Sequence, residues 1–152
     1  MKDKTFAYFM LAFAVFLLDQ GTKYFIIRNF SLYQVINVMP FFNIVYYRNV
    51  GSAFGMLKGL GNPFFILVSA AAIVAIAIMI IKDSGSRTGF SLILGGAAGN
   101  LADRIMHGYV VDFLEVYADR FYWPAFNVAD SALTIGIMLL ILDAVLAQGH
   151  KG

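Results

Sequence analysis

Pro63-Phe64-Phe65-Ile66-Leu67-Val68-Ser69-Ala70-Ala71-Ala72-Ile73-Val74-Ala75-Ile76-Ala77-Ile78-Met79-Ile80-Ile81 runs without a charged residue. An apolar stretch of this length is too long for a buried strand and matches the roughly 20 helical residues that cross a bilayer core. Asn62 and Pro63 predict its start, with Asn as the N-cap and Pro as the first helical residue, where a missing N–H removes no bond. One membrane span is therefore written into the chain. The question is how many others accompany it.

Three more stretches approach the same length. Residues 6–27 are apolar as far as Leu18 and are then interrupted by Asp19, Gln20 and Lys23. Residues 88–106 are rich in glycine and end in Asn100, Asp103 and Arg104, while 128–147 carry Asp130 at their start. The prediction is a mainly α membrane protein with four transmembrane helices (6–27, 63–81, 88–106 and 128–147) in a single domain over residues 1–152. The composition agrees: 13% of residues are charged, against about 25% in soluble domains. Lys2 and Lys4 before the first apolar run resemble a signal-peptide n-region. Cleavage after Ala12-Phe13-Ala14 would, however, split one hydrophobic segment, so the helix is expected to stay.

Four spans put both termini on one side with the 82–87 loop. Lys2, Lys4, Lys82, Arg87 and Lys151 crowd these short stretches, so that side is read as cytoplasmic. Two connections face outward. Residues 29–61 hold strand-like runs at 33–38 and 41–47, parted by Pro40, and predict a small extracytoplasmic β-sheet. Residues 107–125 carry Asp112, Glu115, Asp119 and Arg120 among Tyr117, Tyr122 and Trp123, and read as an interfacial segment, with a short amphipathic helix as one form.

Several chemistries are excluded early. Without cysteine there is no thiolate nucleophile, disulfide or zinc–thiolate site, and a net charge of +2 offers nothing to nucleic acid. The only histidines, His107 and His150, give poor support to a serine hydrolase. What remains is a set of polar residues at the ends of apolar segments, where charge is expensive and calls for a reason.

Each has an ordinary reading and a functional one. Asp19 and Lys23 stand i, i+4 with the acid first, the favourable order for an ion pair that stabilises the helix, though ligand contact stays open. Asn49-Val50-Gly51-Ser52-Ala53-Phe54-Gly55 is either a turn ending the sheet or a surface of small residues that admits another backbone to an amide. Gly95 and Gly99 form a small-xxx-small step for close helix packing, and one turn later Asn100, Asp103 and Arg104 share a face. Capping or snorkelling explains these three singly; together they describe a polar cluster looking into the bundle. Asn127 and Asp130 resemble a capping box.

Asp112, beside Val110-Val111, supplies a second carboxylate on the side of Asp130. Two carboxyl groups at close range cannot both ionise, so one keeps a proton while the other acts as a base toward water attacking a peptide carbonyl. Such a pair needs neither metal nor cofactor. A divalent ion held by Asp112, Asp130 and Asp103 is a weaker alternative, and a proton-coupled transporter or a membrane scaffold are competing non-enzymatic readings.

Five motifs in order then resemble one family. Asp19-Gln20-Gly21-Thr22-Lys23, Asn49-x-Gly51-x-Ala53-Phe54-Gly55, Gly99-Asn100-x-x-Asp103-Arg104, Val110-Val111-Asp112-Phe113 and Phe126-Asn127-x-Ala129-Asp130-Ser131 are similar to those of the lipoprotein signal peptidases (signal peptidase II), over nearly the whole chain. Ser52 stands where that family often has alanine. The resemblance implies a bacterial inner-membrane aspartyl endopeptidase, working as a monomer among membrane lipids with both termini cytoplasmic and its site outward. Its substrate would be a diacylglyceryl-modified prolipoprotein, cut before the lipidated cysteine. Asp112 and Asp130 would be catalytic. Asn49, Gly51, Asn100, Asp103, Arg104 and Asn127 would support them or bind substrate, and Asp19 and Lys23 would stabilise the assembly. Lacking cysteine, the chain would be the processor and not a substrate.

Overall fold

The computed structural model describes residues 2–51, 61–83 and 85–149. Ser52, Ala53, Phe54 and Gly55 of the small-residue motif, and the tail from His150, lie outside them. Four helices cover the four apolar stretches: α1 (Lys2–Asn29), α2 (Gly61–Lys82), α3 (Arg87–His107) and α4 (Val128–Gly149). Among the described residues, four strands lie in the two long connections: β1 (Val35–Met39) and β2 (Phe42–Asn49) after α1, β3 (Val110–Ala118) and β4 (Phe121–Tyr122) between α3 and α4. This is a multi-pass membrane protein, with α1, α2 and α4 each long and apolar enough to cross a bilayer.

The helix absent from that group is α3, and its packing gives the reason. It lies against α1, α2 and α4 at once. Its neighbours shield it, so it need not offer apolar side chains to lipid and can carry Asn100, Asp103 and Arg104 instead. Close approach on several sides requires small residues. A Cβ added at Gly95 would sit 2.7 Å from Val15 of α1, and one at Gly96 would sit 2.5 Å from the Ala129 carbonyl oxygen of α4. Ser86 caps the start of α3, accepting from the Gly89 N–H, and Gly108 ends it at φ 79, its N–H donating to the Arg104 carbonyl. Asn62 departs from the sequence expectation. It lies inside α2 and its amide donates to the Arg104 carbonyl at 3.0 Å, so it ties α2 to α3 instead of capping α2.

The strands form one antiparallel sheet in the order β1-β2-β3-β4. The 107–125 connection is thus strand where a short amphipathic helix was one expectation. Val110–Ala118 is β-branched and aromatic enough to extend, and β2 supplies the ladder partners that a lone segment lacks. Ile26, Tyr46, Val111 and Phe113 form the core joining the sheet to the end of α1, and Ala12, Ile80 and Leu94 form a second core deeper in the bundle.

One irregularity positions the site. Ile44 pairs with Leu114 and Tyr47 with Asp112, so β2 advances three residues while β3 advances two. The extra residue turns Tyr47 and Asn49 onto the face that Asp112 occupies, which a regular strand would deny them.

Candidate active site

Asp112 sits in the buried run Val110–Phe113 of β3, itself only 4% exposed. Asn49, its diagonal neighbour across the ladder, donates from Nδ2 to Asp112 Oδ2 at 3.0 Å. Asn49 is held in turn by the Gly51 N–H, which donates to its Oδ1 at 2.9 Å. Gly51 adopts φ 100, and a side chain there would collide with the Phe65 ring, so glycine is required twice over.

Asp130 enters from the first turn of α4. The Asp130 N–H donates to Asn127 Oδ1 at 2.9 Å and the Asn127 N–H donates back to Asp130 Oδ2 at 3.2 Å, a reciprocal capping box. The ordinary reading of these two residues is therefore correct, and it coexists with a second role. The same Asn127 donates from Nδ2 to Asp112 Oδ1 at 2.8 Å, so one fully buried residue holds both carboxylates, Asp112 through its side chain and Asp130 through its backbone N–H. Asn100 adds a donor to Asp130 Oδ1 at 2.8 Å.

Beneath the pair lies a charged knot. Lys23 Nζ is 2.9 Å from Asp19, 3.1 Å from Asp103 and 2.9 Å from Asn100 Oδ1, and all three charged groups are buried. Each acid reaches a further element. Asp19 accepts the Ala129 N–H of α4, and Asp103 accepts the Val111 N–H of β3, both at 2.9 Å. The knot thus locks α1, α3, α4 and β3 around the site. Because Asp103 is engaged with Lys23 and Val111, a cation held by Asp112, Asp130 and Asp103 does not fit this arrangement.

Arg104 follows Asp103 on α3. It donates to the Asn100 carbonyl at 3.3 Å and covers the Phe65 ring at 5.3 Å, and its charge acts through space on Asp130, Asp112 and Asp103. Gln20, which in sequence interrupts an apolar run and belongs to the Asp19–Lys23 motif without a role of its own, is a member of the network. Its amide donates to Asp19, to the Gly99 carbonyl and to Asp103, and its signal was that same polarity at membrane depth.

Burial pushes the Asp112 carboxyl up to about 7, and the neighbouring Asp130 charge pushes it the same way; the Asn49 and Asn127 hydrogen bonds and the Lys23 charge oppose the shift. Asp112 is thus a carboxyl able to hold a proton near neutral pH. Asp130 opens onto a cavity of about 440 Å³ lined by Trp123, Phe126, Ser131, Thr134, Ile135 and Met138. Chemically this is a pair of carboxyls with fixed donors beside an apolar cavity, arranged for acid–base work on a neutral bond.

The comparisons with known proteins point one way. The family model described as signal peptidase (SPase) II matches residues 11–146. The chain is similar to a lipoprotein signal peptidase of Thermodesulfovibrio yellowstonii, with 44% identity over 85% of this chain and 88% of the relative. A lipoprotein signal peptidase of Pasteurella multocida shares 41% identity over 91% of this chain and 88% of its own. Among solved structures, a bacterial membrane enzyme determined by the in meso method at 2.3 Å resolution superposes with a TM-score of 0.87 at 34% identity, covering 96% of this chain and 92% of that one.

Proposed function

From the premise that this chain belongs to the signal peptidase II family, we propose that it cleaves its substrate through Asp112 and Asp130. The protein is a membrane protease that removes signal peptides from prolipoproteins. One observation carries the site assignment: Asn127 donates to Asp112 while its capping box holds Asp130, so both carboxyls are fixed by one buried residue. A single proton shared by such a pair suits the attack of water on a peptide carbonyl. The substrate is a diacylglyceryl-modified prolipoprotein cut before the lipidated cysteine.

Asp112→Asn and Asp130→Asn are expected each to abolish cleavage of a lipidated prolipoprotein in a gel-shift assay, with folding intact and no effect of chelators on the wild type. Full activity in either variant, or loss on chelation, sinks the metal-free pair.

The remaining features follow the same reading. α3 is a fourth span shielded by the other three, both termini are cytoplasmic in a bacterial inner membrane, and the monomeric enzyme presents its site outward. The exposed apolar side chains of Val35, Val38, Phe41, Phe121 and Trp123 favour a sheet and a 107–125 segment resting at the interface. Reporter fusions in the 82–87 loop should read cytoplasmic and those in Val35–Met39 extracytoplasmic; the opposite readings reject this topology. Unwinding a substrate segment in lipid exposes its amides, at several kcal/mol each, so the protein must supply partners. Asn49 and Arg104 are suited to that, while Gly51 holds Asn49 in place and Asn100, engaged by Lys23, Asn127 and Asp130, supports the pair. Arg104→Ala should lower kcat/KM more than Arg120→Ala on folded samples; equal kinetics removes Arg104 from the substrate site.

A further inference from the structure

Hydrogen-bond donors point in only one direction, and here they divide the labour of the pair. Lys23 has donors only, so the Asn100 atom facing it is Oδ1 and the amide N–H must face Asp130. The orientations of Asn127 and Asn49 are fixed likewise by the backbone N–H groups of Asp130 and Gly51. All four oxygens of the two carboxyls therefore receive a donor of fixed sense.

The two sets of donors differ in what stands behind them. Asp130 occupies the first turn of α4, where the helix dipole and a free backbone N–H favour an anion. The amide donating to its Oδ1 is polarised from behind by the Lys23 ammonium, which strengthens that bond. Asp112 lies on a strand, is almost fully buried, and its donors Asn49 and Asn127 are backed by neutral backbone N–H groups. The other charges around the pair preserve this asymmetry. Asp19 and Asp103 both pair with Lys23, Glu115 of β3 is held by Asn43, and Arg48 of β2 donates to the Tyr46 hydroxyl and lies over the Tyr109 ring. The Arg104 charge of α3 acts through space on Asp130 and Asp112 alike.

We propose that the pair carries one proton and that it resides on Asp112, because the Lys23–Asn100 relay and the first turn of α4 reserve the anion for Asp130. This rests on the catalytic reading above and extends it. Asp130 is the base, Asp112 the acid, and Lys23 and Asn100 are positioning residues. Asp130 takes a proton from water as the water oxygen bonds the carbonyl carbon, and Asp112 gives its proton to the carbonyl oxygen. Asp130 then protonates the leaving nitrogen as the C–N bond breaks, and one hydroxyl proton of the intermediate returns to Asp112. The starting state is restored without any co-reactant beyond water. The raised Asp112 carboxyl, pushed up to about 7, agrees with this division.

Infrared spectroscopy reads the proton directly, whether or not the enzyme turns over. At about pH 5.5, where ordinary carboxyls are ionised, the C=O stretch of a protonated carboxyl should be present in the wild type. It should vanish in Asp112→Asn and persist in Asp130→Asn; any other pattern overturns the assignment. The relay is tested by Lys23→Gln, or by the charge-balanced Lys23→Gln/Asp103→Asn if the single variant does not fold. Losing the cation should move the acidic limb of kcat/KM upward by about one pH unit. A merely structural role lowers activity at every pH and leaves that limb in place, which overturns the relay. Retained cleavage in both aspartate variants sinks the catalytic reading itself, whatever the spectrum. A reversed spectrum with cleavage abolished sinks only the proton assignment.

Discussion

Two acid–base pairs in this protein share the same i, i+4 spacing with the acid first, and they have little else in common. Asp19 and Lys23 lie at the sheet end of the bundle, almost completely buried, and a second acid, Asp103, joins them from α3. Asp83 and Arg87 lie at the opposite end, between α2 and α3, with Asp83 62% exposed. Around Lys23 every charge has several partners on different elements. Arg87 pairs with Asp83, donates to Thr5 and covers the Tyr8 ring, yet its Nε is the one buried side-chain polar atom without a hydrogen bond among the described residues. Spacing makes both pairs possible. Burial decides that one is a structural keystone beneath the site and the other a local clasp.

The sharpest way to break this contrast is to remove each cation. Lys23→Met leaves Asp19 and Asp103 buried without their counter-charge, and a stability loss of about 3–5 kcal/mol is expected. Arg87→Met should cost less than half of that, because the Asp83 carboxylate keeps its water. Equal losses by denaturant titration in micelles would end the distinction.

A second test uses two helix glycines beside the knot, Gly99 of α3 and Gly21 of α1. A methyl at Gly99 would collide with the Asp19 carboxylate, whereas a Cβ at Gly21 meets nothing within 4 Å. Gly99→Ala should destabilise by about 1–3 kcal/mol through overpacking. Gly21→Ala should stabilise by about 0.5–1 kcal/mol, since helix interiors favour alanine. If the two changes agree in sign, the knot is less tightly packed than its contacts imply.

The pH dependence sharpens the picture on the site itself. Asp112 is raised to about 7 in the folded protein and titrates near about 3.9 when unfolded. The folded state therefore holds the extra proton between those values. Its stabilising contribution is complete below the lower value and is lost as pH rises through the upper one. Asp112→Asn cannot ionise and should melt above the wild type at about pH 8, with the difference shrinking toward acid. A difference independent of pH would mean that the Asp112 carboxyl is not raised.

The smallest effect belongs to the exposed member of the outer pair. Asp83→Asn should change stability by no more than about 0.5 kcal/mol and should lose even that in high salt. A larger loss would make the far end a second keystone.

Much of this was legible in residue order. Long apolar stretches announce helices whatever their neighbours, and the aromatic and β-branched runs after α1 announced β1 and β2. The polar side chains at the ends of those stretches marked the candidate site that the structure draws together, because desolvating them needs compensation wherever they fold. The misreadings share a different cause. β3 has a ladder only because β2 lies beside it, Asn62 acts as a tie only because α3 passes within reach, and Gln20 is a network member only where α1 meets α3.

The sequence by itself determined a membrane protein built on apolar helices, and it determined which few polar residues could do chemistry, since both follow from local composition and the cost of charge in lipid. Only the tertiary structure decided that Asn127 serves both as a helix cap and as the bridge to Asp112, and that one extra residue in β2 turns Asn49 toward the pair. The reason is geometric. Hydrogen bonds about 3 Å long join residues 15 to 110 positions apart, and which of them meet depends on strand register and helix packing, for which no single segment carries the information.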